Sequence, residues 1–251
     1  MPIGKQIVLN KHINLTDFAI EVTRRCNMAC EHCMRGEAED MDLDLALARK
    51  ALEDVRYIDQ IVFTGGEPSL NVPCMESVLG ICKAQGIRVN SFFLATNGKE
   101  VTLDFLECLV HWYAYCISCS GDPYMSAVAL SRDMFHEDIP YKNRALLMML
   151  SFYDEAMKDT DFVKYPLIGE GRAAGLSDDF KTRSPITEEP QISIGTDGTV
   201  TVSSMLYLSG SGDIRTCCDV AYDNDAYTIG NVGEEPLTAI LMREAAKENA
   251  A

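Results

Sequence analysis

The stretch Cys26-Asn-Met-Ala-Cys30-Glu-His-Cys33 decides how the rest of the chain is interpreted. It follows the apolar run Phe18-Ala-Ile-Glu-Val22, so the cysteines lie on the loop after a predicted strand. Three thiolates at this spacing can converge on one metal centre, but a [4Fe–4S] cube takes four ligands, which leaves one iron open to an exchangeable group. Zinc sites normally need two pairs of ligands at shorter spacing, and no partner pair lies nearby. The spacing therefore favours a reactive iron–sulfur cluster over structural zinc.

Strands and helices are predicted to alternate after this loop. Helical spacing of apolar residues covers 42–55, and the apolar run at 60–63 starts a second unit. A third strand is predicted at 89–94 with its helix around 105–109, and residues 113–118 form the predicted fourth strand. Alternation at this interval predicts an α/β fold with a parallel sheet, either doubly wound or closed toward a barrel. In such folds the ligand site lies at the carboxyl ends of the strands.

Turns rich in glycine and polar residues fall at these predicted strand ends, namely Gly65-Gly66-Glu67-Pro68, Asn97-Gly98 and Ser118-Cys-Ser120. Paired glycines allow positive φ and close backbone approach to a ligand. Asn97-Gly98 by itself is also a common turn dipeptide. Cys116 and Cys119 have the spacing of a redox pair, but on a strand they point to opposite faces, which favours packed thiols. We therefore expect the three turns to form one site.

The cysteine stretch resembles the radical S-adenosylmethionine (radical SAM) superfamily, with His32 at the usually aromatic position before the third cysteine. This resemblance implies one [4Fe–4S] cluster on Cys26, Cys30 and Cys33, with S-adenosylmethionine (SAM) chelating the open iron through its amino and carboxylate groups. It also implies a low-potential electron donor of the flavodoxin or ferredoxin kind. The expected chemistry is cleavage of SAM to a 5′-deoxyadenosyl radical, which abstracts a substrate hydrogen.

The same resemblance assigns the SAM-binding residues. Gly65 and Gly66 have backbone roles at the SAM amino group, and Glu67 either bonds the ammonium or fixes the turn. Asn97 is expected beside the nucleoside, and Ser118 and Ser120 are expected to bond the ribose hydroxyls. Arg172 is expected to pair with the SAM carboxylate. The carboxylate contact suits a guanidinium because its fork matches two carboxylate oxygens.

The region before Arg172 departs from the family pattern. Only one convincing helix, at 143–158, is predicted between the fourth strand and the segment 162–173, which resembles the end of the last barrel strand in peptide-modifying members. His136 lies in this irregular region and is able to reach the open cavity. We therefore predict a partial (β/α) TIM-type barrel, reduced by one βα unit and open to a large substrate.

The C-terminal part resembles a degenerate SPASM or twitch extension. Residues 191–202 predict a β-hairpin with Asp197-Gly198 as its turn, but only Cys217 and Cys218 remain as candidate ligands. We expect no auxiliary cluster, and one of these two thiols is a candidate hydrogen donor to a substrate radical. The predicted domains are a barrel at 1–176, a linker at 177–190 and the extension at 191–251.

Composition limits the compartment and the partners. The 251 residues are 47% apolar and carry a formal charge of −16, which disfavours a nucleic acid substrate. The sequence predicts no signal peptide and no membrane-spanning run, so a cytoplasmic location is expected and the ten cysteines are thiols or metal ligands.

Three functions stay open at this point. The first is a radical SAM enzyme that modifies a peptide or protein side chain. The Gly171-Arg172-Ala173 turn at the end of the segment 162–173 and the hairpin extension favour it. The second acts on a nucleoside or other small metabolite, which the short chain favours. The third is a non-catalytic iron–sulfur or SAM-binding protein, which the open iron and the Gly-Gly-Glu-Pro turn disfavour.

Overall fold

A computed structural model describes residues 12–122, 124–154, 167–181, 183–185 and 190–248. Five parallel strands alternate with four helices. The strands are β1 (Ile13–Thr23), β2 (Val55–Gly65), β3 (Arg88–Thr96), β4 (Ala127–Leu130) and β5 (Tyr153–Asp154). The helices are α1 (Leu45–Leu52), α2 (Val72–Gln85), α3 (Leu103–Ser120) and α4 (Tyr141–Met148). This alternation confirms the predicted α/β fold, and in the described residues the sheet is open at both edges.

Local sequence explains where the first helices begin and end. Asp44 caps α1 by accepting a hydrogen bond from the amide of Ala46 at 2.8 Å, and Arg49 and Lys50 lie in its last turn, where positive charge suits the helix dipole. Asn71 caps α2 in the same way, and Gly86 ends it with a left-handed φ of 67°. The predicted helix at 42–55 is thus confirmed with shorter bounds.

The predicted fourth strand at 113–118 is wrong, because these residues continue α3. The buried side chains of α3 recur at intervals of one to four residues along a single face and comprise Phe105, Cys108, Leu109, Trp112 and Cys116. The indole of Trp112 donates to the carbonyl of Met75 on α2 at 3.2 Å. The helix ends only at Gly121, and the fourth strand is β4. Cys116 and Cys119 are therefore one helical turn apart instead of on opposite faces of a strand.

The predicted helix at 143–158 is also shorter than expected. It ends at Met148 as α4, and the short strand β5 follows at Tyr153–Asp154. Leu147 is the buried residue of α4, whereas Met149, which follows the helix, is exposed. Residues 155–158 of this prediction lie outside the described residues, as do residues 162–166 of the segment that resembles the last barrel strand.

The C-terminal segment extends the same sheet. Its strands are β6 (Ile192–Ile194), β7 (Val200–Leu208), β8 (Asp213–Arg215) and β9 (Thr228–Asn231), followed by helix α5 (Leu237–Glu248). The β6–β7 hairpin is confirmed, with Gly198 at a φ of 87° in its turn. Strand β7 runs parallel to β1, so the sheet order is β5-β4-β3-β2-β1-β7-β8-β9. The division into 1–176, 177–190 and 191–251 stays a prediction, and the sheet crosses its boundaries.

A buried carboxylate joins the first strand to this C-terminal segment. Glu21 on β1 accepts hydrogen bonds from Arg24 Nε at 2.6 Å and from the amide of Gly210 at 2.9 Å. It also accepts a hydrogen bond from the hydroxyl of Tyr207 on β7, and both side chains are buried. Because a buried charge is costly without partners, these donors hold the end of β1 and the end of β7 together.

Replacing Tyr207 by phenylalanine is expected to lower the free energy of unfolding by about 1.5–3 kcal/mol, since a hydrogen bond to a charged group contributes about that much. The phenylalanine ring fills the same space as the tyrosine ring, so the lost stability measures the hydrogen bond of the hydroxyl to Glu21. Urea unfolding followed by circular dichroism measures it. Tyr141→Phe is the matched control, because Tyr141 is 86% exposed. An equal effect in both variants contradicts the role given to the Glu21 network.

Among the described residues, no helix combines the length and the apolar character that a membrane crossing requires.

Candidate functional site

A cavity of about 460 Å³ lies at the carboxyl ends of β1 to β4. Each of these strands is followed by a loop that contributes to its wall, and the lining residues come mainly from segments 26–35, 62–68, 93–97, 131–136 and 167–168. Carboxyl ends of parallel strands are the usual ligand sites of α/β folds. The cavity has the size of small-molecule sites, so its position and volume both suit a bound cofactor or substrate.

The cysteine loop after β1 brings its three thiols to this cavity. Cys26, Cys30 and Cys33 all line it and are all half-buried free thiols. The loop returns toward β1 because Thr23 Oγ1 donates to Asp42 Oδ1 at 2.6 Å and Arg25 contacts the same carboxylate at 2.8 Å. The predicted metal ligands are therefore together on one wall.

The chemistry of these thiols fits a metal cluster. Burial is the main reason that the pKa of the Cys30 thiol is raised to about 11, and the neighbouring Cys26 and Cys33 thiols raise it further. Burial likewise raises the pKa of Cys26. Thiolates this close repel one another unless a cation lies between them, and a coordinating metal deprotonates thiols outright. The three residues thus fit the cluster that their spacing predicts.

The Gly65-Gly66 turn after β2 packs directly on the cysteine loop. The amide of Gly66 donates to the carbonyl of Thr23 at 2.8 Å, and the amide of Glu67 donates to the carbonyl of Arg25 at 2.8 Å. A Cβ atom at Gly65 would lie 2.0 Å from the Thr23 oxygen, and one at Gly66 would lie 2.2 Å from the Arg25 oxygen. Both glycines are therefore required by contact with the chain itself, besides any contact with a ligand.

Glu67 ties this turn to the end of β3. Its side chain is buried and accepts hydrogen bonds from Thr96 Oγ1 at 2.7 Å, from the Asn97 amide at 2.7 Å and from the Ser69 amide at 3.1 Å. Burial raises its pKa, and these hydrogen bonds oppose that change. These contacts join the turn to the end of β3, and both roles expected for Glu67 stay predictions.

Asn97 reaches the cysteine loop from the end of β3. Its Nδ2 donates to Asn27 Oδ1 at 2.8 Å and lies 3.8 Å from Cys26 Sγ, and the residue lines the cavity. Ser118 and Ser120 do not join this site. Their hydroxyls donate to backbone carbonyls near the C-terminal end of α3 and at Asn90, close to the start of β3 and the opposite end of the sheet. Their expected contact with ribose depended on the strand that proved to be helix.

Arg172 lies in a short turn against the cysteine loop. Its amide donates to the carbonyl of Cys33 at 2.9 Å, and its Nη1 lies 3.4 Å from Glu37 Oε2. The preceding Gly171 has a φ of 53°, and a Cβ there would lie 2.5 Å from the Gly36 amide nitrogen. The Gly171-Arg172-Ala173 segment therefore packs beside the predicted cluster ligands.

Cys217 and Cys218 are held close to the same loop but do not line the described part of the cavity. Arg35 donates to the carbonyl of Val220 at 3.1 Å, which connects the cysteine loop to this segment. Cys217 Sγ accepts the amide of Asp219 at 3.3 Å. Burial raises the pKa of the Cys218 thiol to about 12, and the Asp219 carboxylate beside it adds to the effect. Burial also raises the pKa of the Cys217 thiol.

Sequence reasoning missed Asp133, which follows β4 and lines the cavity together with His32 and His136. Its two carboxylate oxygens contact His32 Nε2 at 3.2 Å and His136 Nδ1 at 2.8 Å. Burial alone raises the pKa of Asp133, but the hydrogen bonds from His136 and His32 outweigh it and hold the pKa well below its ordinary value. Asp133 could have been found from its position just after the fourth strand, but the sequence analysis predicted that strand at 113–118 instead of at β4.

Comparison with protein families matches residues 20–112 to the Radical SAM superfamily. An uncharacterized protein of Methanocaldococcus jannaschii is 35% identical over 92 residues, which are 35% of this chain and 32% of that protein. The pre-heme d1 synthase of Dinoroseobacter shibae is 35% identical over 86 residues, which are 32% of this chain and 20% of that protein. The chain thus matches a third or less of the length of these relatives.

The solved structure of anSMEcpe with bound AdoMet resembles the fold along most of the chain. Its TM-score is 0.56 at 14% identity, over 90% of this chain and 80% of that one. The same protein bound to AdoMet and Cp18Cys peptide gives a TM-score of 0.50 at 16% identity, over 92% and 79% of the two chains. This likeness confirms the partial-barrel α/β fold.

The superfamily uses a [4Fe–4S] cluster and SAM, and the residues expected to hold them lie mainly inside the matched range. The three thiols, the Gly-Gly-Glu-Pro turn and Asn97 also line one cavity. Residues 20–112, which contain these three thiols, match the Radical SAM superfamily.

Proposed function

We propose that this protein is a radical SAM enzyme that abstracts a hydrogen atom from a peptide or protein substrate. The observation that carries the proposal is the convergence of the Cys26, Cys30 and Cys33 thiols and the Gly-Gly-Glu-Pro turn on one cavity. A protein that only stores a cluster or transfers electrons has no need of an open iron or of a turn built beside it.

The proposed roles follow from where the residues lie. Cys26, Cys30 and Cys33 would hold the [4Fe–4S] cluster, and three protein ligands would leave one of its irons for SAM. The backbone at Gly65 and Gly66 binds the SAM amino group, with the turn fixed by buried Glu67. Polar groups near the cysteine loop complete the SAM site, with Asn97 toward the nucleoside and Arg172 toward the carboxylate. When bound, cluster and SAM together supply the 5′-deoxyadenosyl radical.

The chain itself protects that chemistry by excluding water. Apolar side chains form part of the cavity wall, including Met28, Val62, Phe63 and Phe93. Met28 and Phe63 are almost fully buried. A dry wall limits side reactions of a radical, and substrate groups bound against it are held in a fixed orientation.

The proposed substrate class rests on the fold that this chain shares with anSMEcpe. The structure of anSMEcpe contains Cp18Cys peptide, and this chain shares its fold. We keep Cys218 as the proposed hydrogen donor and Cys217 as the second candidate, since a donor must hold its proton and burial raises the pKa of both thiols. The electron is proposed to come from a low-potential donor of the flavodoxin or ferredoxin class.

A small cofactor-like metabolite is a second candidate substrate. The observation that favours it is the match to pre-heme d1 synthase, which covers 32% of this chain.

Hydrogen abstraction tests the reaction and the substrate class together. The full chain is reconstituted anaerobically with iron and sulfide, reduced with SAM, and supplied with a perdeuterated peptide pool or a perdeuterated metabolite pool. We expect about four irons per chain and deuterium in the 5′-deoxyadenosine formed with the peptide pool. Deuterium only from the metabolite pool supports the second substrate. A bound cluster that never cleaves SAM contradicts the enzyme proposal.

A further inference from the structure

We infer that His32, Asp133 and His136 form a binding site for a divalent metal ion, separate from the cluster thiols, on the wall of the same cavity. One ligand atom from each residue lies within 4.8 Å of the other two, and all three residues line the cavity. His32 comes from the loop after β1, and the other two come from the loop after β4. The fold therefore brings together residues about 100 positions apart in the sequence.

The spacing is close to what a bound ion needs. Zinc bonds to nitrogen and oxygen are about 2.0–2.2 Å long, which puts neighbouring tetrahedral ligand atoms about 3.4 Å apart. Asp133 already lies 3.2 Å from His32 Nε2 and 2.8 Å from His136 Nδ1. After small side-chain rotations, a metal ion can bind between Asp133 and the two histidines in place of these two hydrogen bonds. The Asp133 carboxylate supplies the negative charge.

Neighbouring groups hold the three side chains in place. The ring of Phe135 stacks on His32 with centroids 4.9 Å apart, and Phe180 meets Phe135 edge-on at 5.7 Å. The amide of Phe135 donates to Asp133 Oδ1 at 2.8 Å. The side chains of the three candidate ligands are only 13–19% exposed. Ordering of this kind lowers the entropic cost of binding an ion.

The chemistry of the three ligands indicates which metal ions the site binds. Two imidazoles and one carboxylate are the ligands of catalytic zinc sites and of non-haem iron(II) sites, both of which keep a position open. The set contains no thiolate, so it is chemically distinct from the cluster ligands. Because all three side chains line the cavity, an ion bound there would be accessible to water or to a carboxylate or thiolate of a substrate. This anchoring role rests on the proposed function, whereas the metal site itself does not.

Zinc binding by the reconstituted full chain tests the site, because the cluster then occupies the cysteine thiols. Equilibrium dialysis against Zn²⁺, with zinc and iron measured in the same samples, is expected to give about one zinc per chain without loss of iron. His136→Gln and Asp133→Asn are expected to weaken zinc binding by about 100-fold or more, since even changes around a ligand cost 10–100-fold.

His111→Gln is the matched control, because His111 also contacts a carboxylate, Glu76, at 2.8 Å but on the exposed face of α3. It is expected to bind zinc like the parent. Equal zinc binding in the parent and His136→Gln overturns the site, as does zinc uptake only at the expense of iron. X-ray absorption at the zinc edge must show nitrogen and oxygen ligands; sulfur ligands reject the proposal. These readouts need no SAM cleavage, so they stay informative if the proposed reaction fails.

Discussion

Replacing Cys30 by alanine is expected to abolish cluster binding and reduce SAM cleavage to the level of a sample without protein. The loop offers three thiols to the cavity, and two thiolates cannot hold a cube that already has an open iron. Iron should fall from about four per chain to a small fraction of that. Iron and sulfide content after anaerobic reconstitution, and 5′-deoxyadenosine by mass spectrometry, measure both effects.

Cys119→Ala is the matched control for this loss. Cys119 is also a half-buried free thiol, but it lies near the end of α3, away from the cavity. It is expected to keep the iron content and activity of the parent. Circular dichroism should give the same fold for both variants, because neither thiol belongs to the fully buried core. Activity retained by Cys30→Ala, or lost equally in Cys119→Ala, contradicts the ligand assignment.

The first βα units could be predicted from the sequence because local and long-range signals agree there. Apolar runs end in glycine or polar turns at Gly65 and Asn97, and helical spacing follows each turn. At 113–118 these signals conflict. The residues Tyr-Ala-Tyr-Cys-Ile-Ser are locally strand-like, but Trp112 and Cys116 continue the buried face of a helix that began at Leu103. Packing on α2 and β3 decides the outcome.

The errors in the candidate site follow from that one assignment. Ser118 and Ser120 were expected at a strand end and lie instead near the far end of the sheet, whereas Asp133 occupies the position after the true fourth strand. The pairing of β7 with β1 was not predictable from periodicity, because periodicity reports which faces are buried and not which strands become neighbours. The buried Glu21 and its contact with Tyr207 follow from that pairing.

Gly66→Ala is expected to lower the free energy of unfolding by about 1–3 kcal/mol or more, as overpacking does, and to eliminate SAM binding. The added Cβ would lie 2.2 Å from the carbonyl oxygen of Arg25 and 2.8 Å from that of Arg24. Both obstacles are backbone, so the turn and the cysteine loop must separate. That movement breaks the hydrogen bond between Glu67 and Arg25 and shifts the groups assigned to the SAM ammonium. Urea unfolding of the cluster-free chain and calorimetric SAM binding to the reconstituted chain measure the two losses.

Gly80→Ala separates this steric effect from the general effect of adding a methyl group. Gly80 lies inside α2, and no other atom lies within 4 Å of the position of an added Cβ. Alanine there is expected to stabilise the chain by about 0.5–1 kcal/mol, because glycine is unfavourable in a helix, and to leave SAM binding unchanged. If Gly66→Ala binds SAM like the parent, close contact between the turn and the cysteine loop is not what forms the site. If it loses stability but keeps SAM binding, the ammonium contact must come from residues other than this turn.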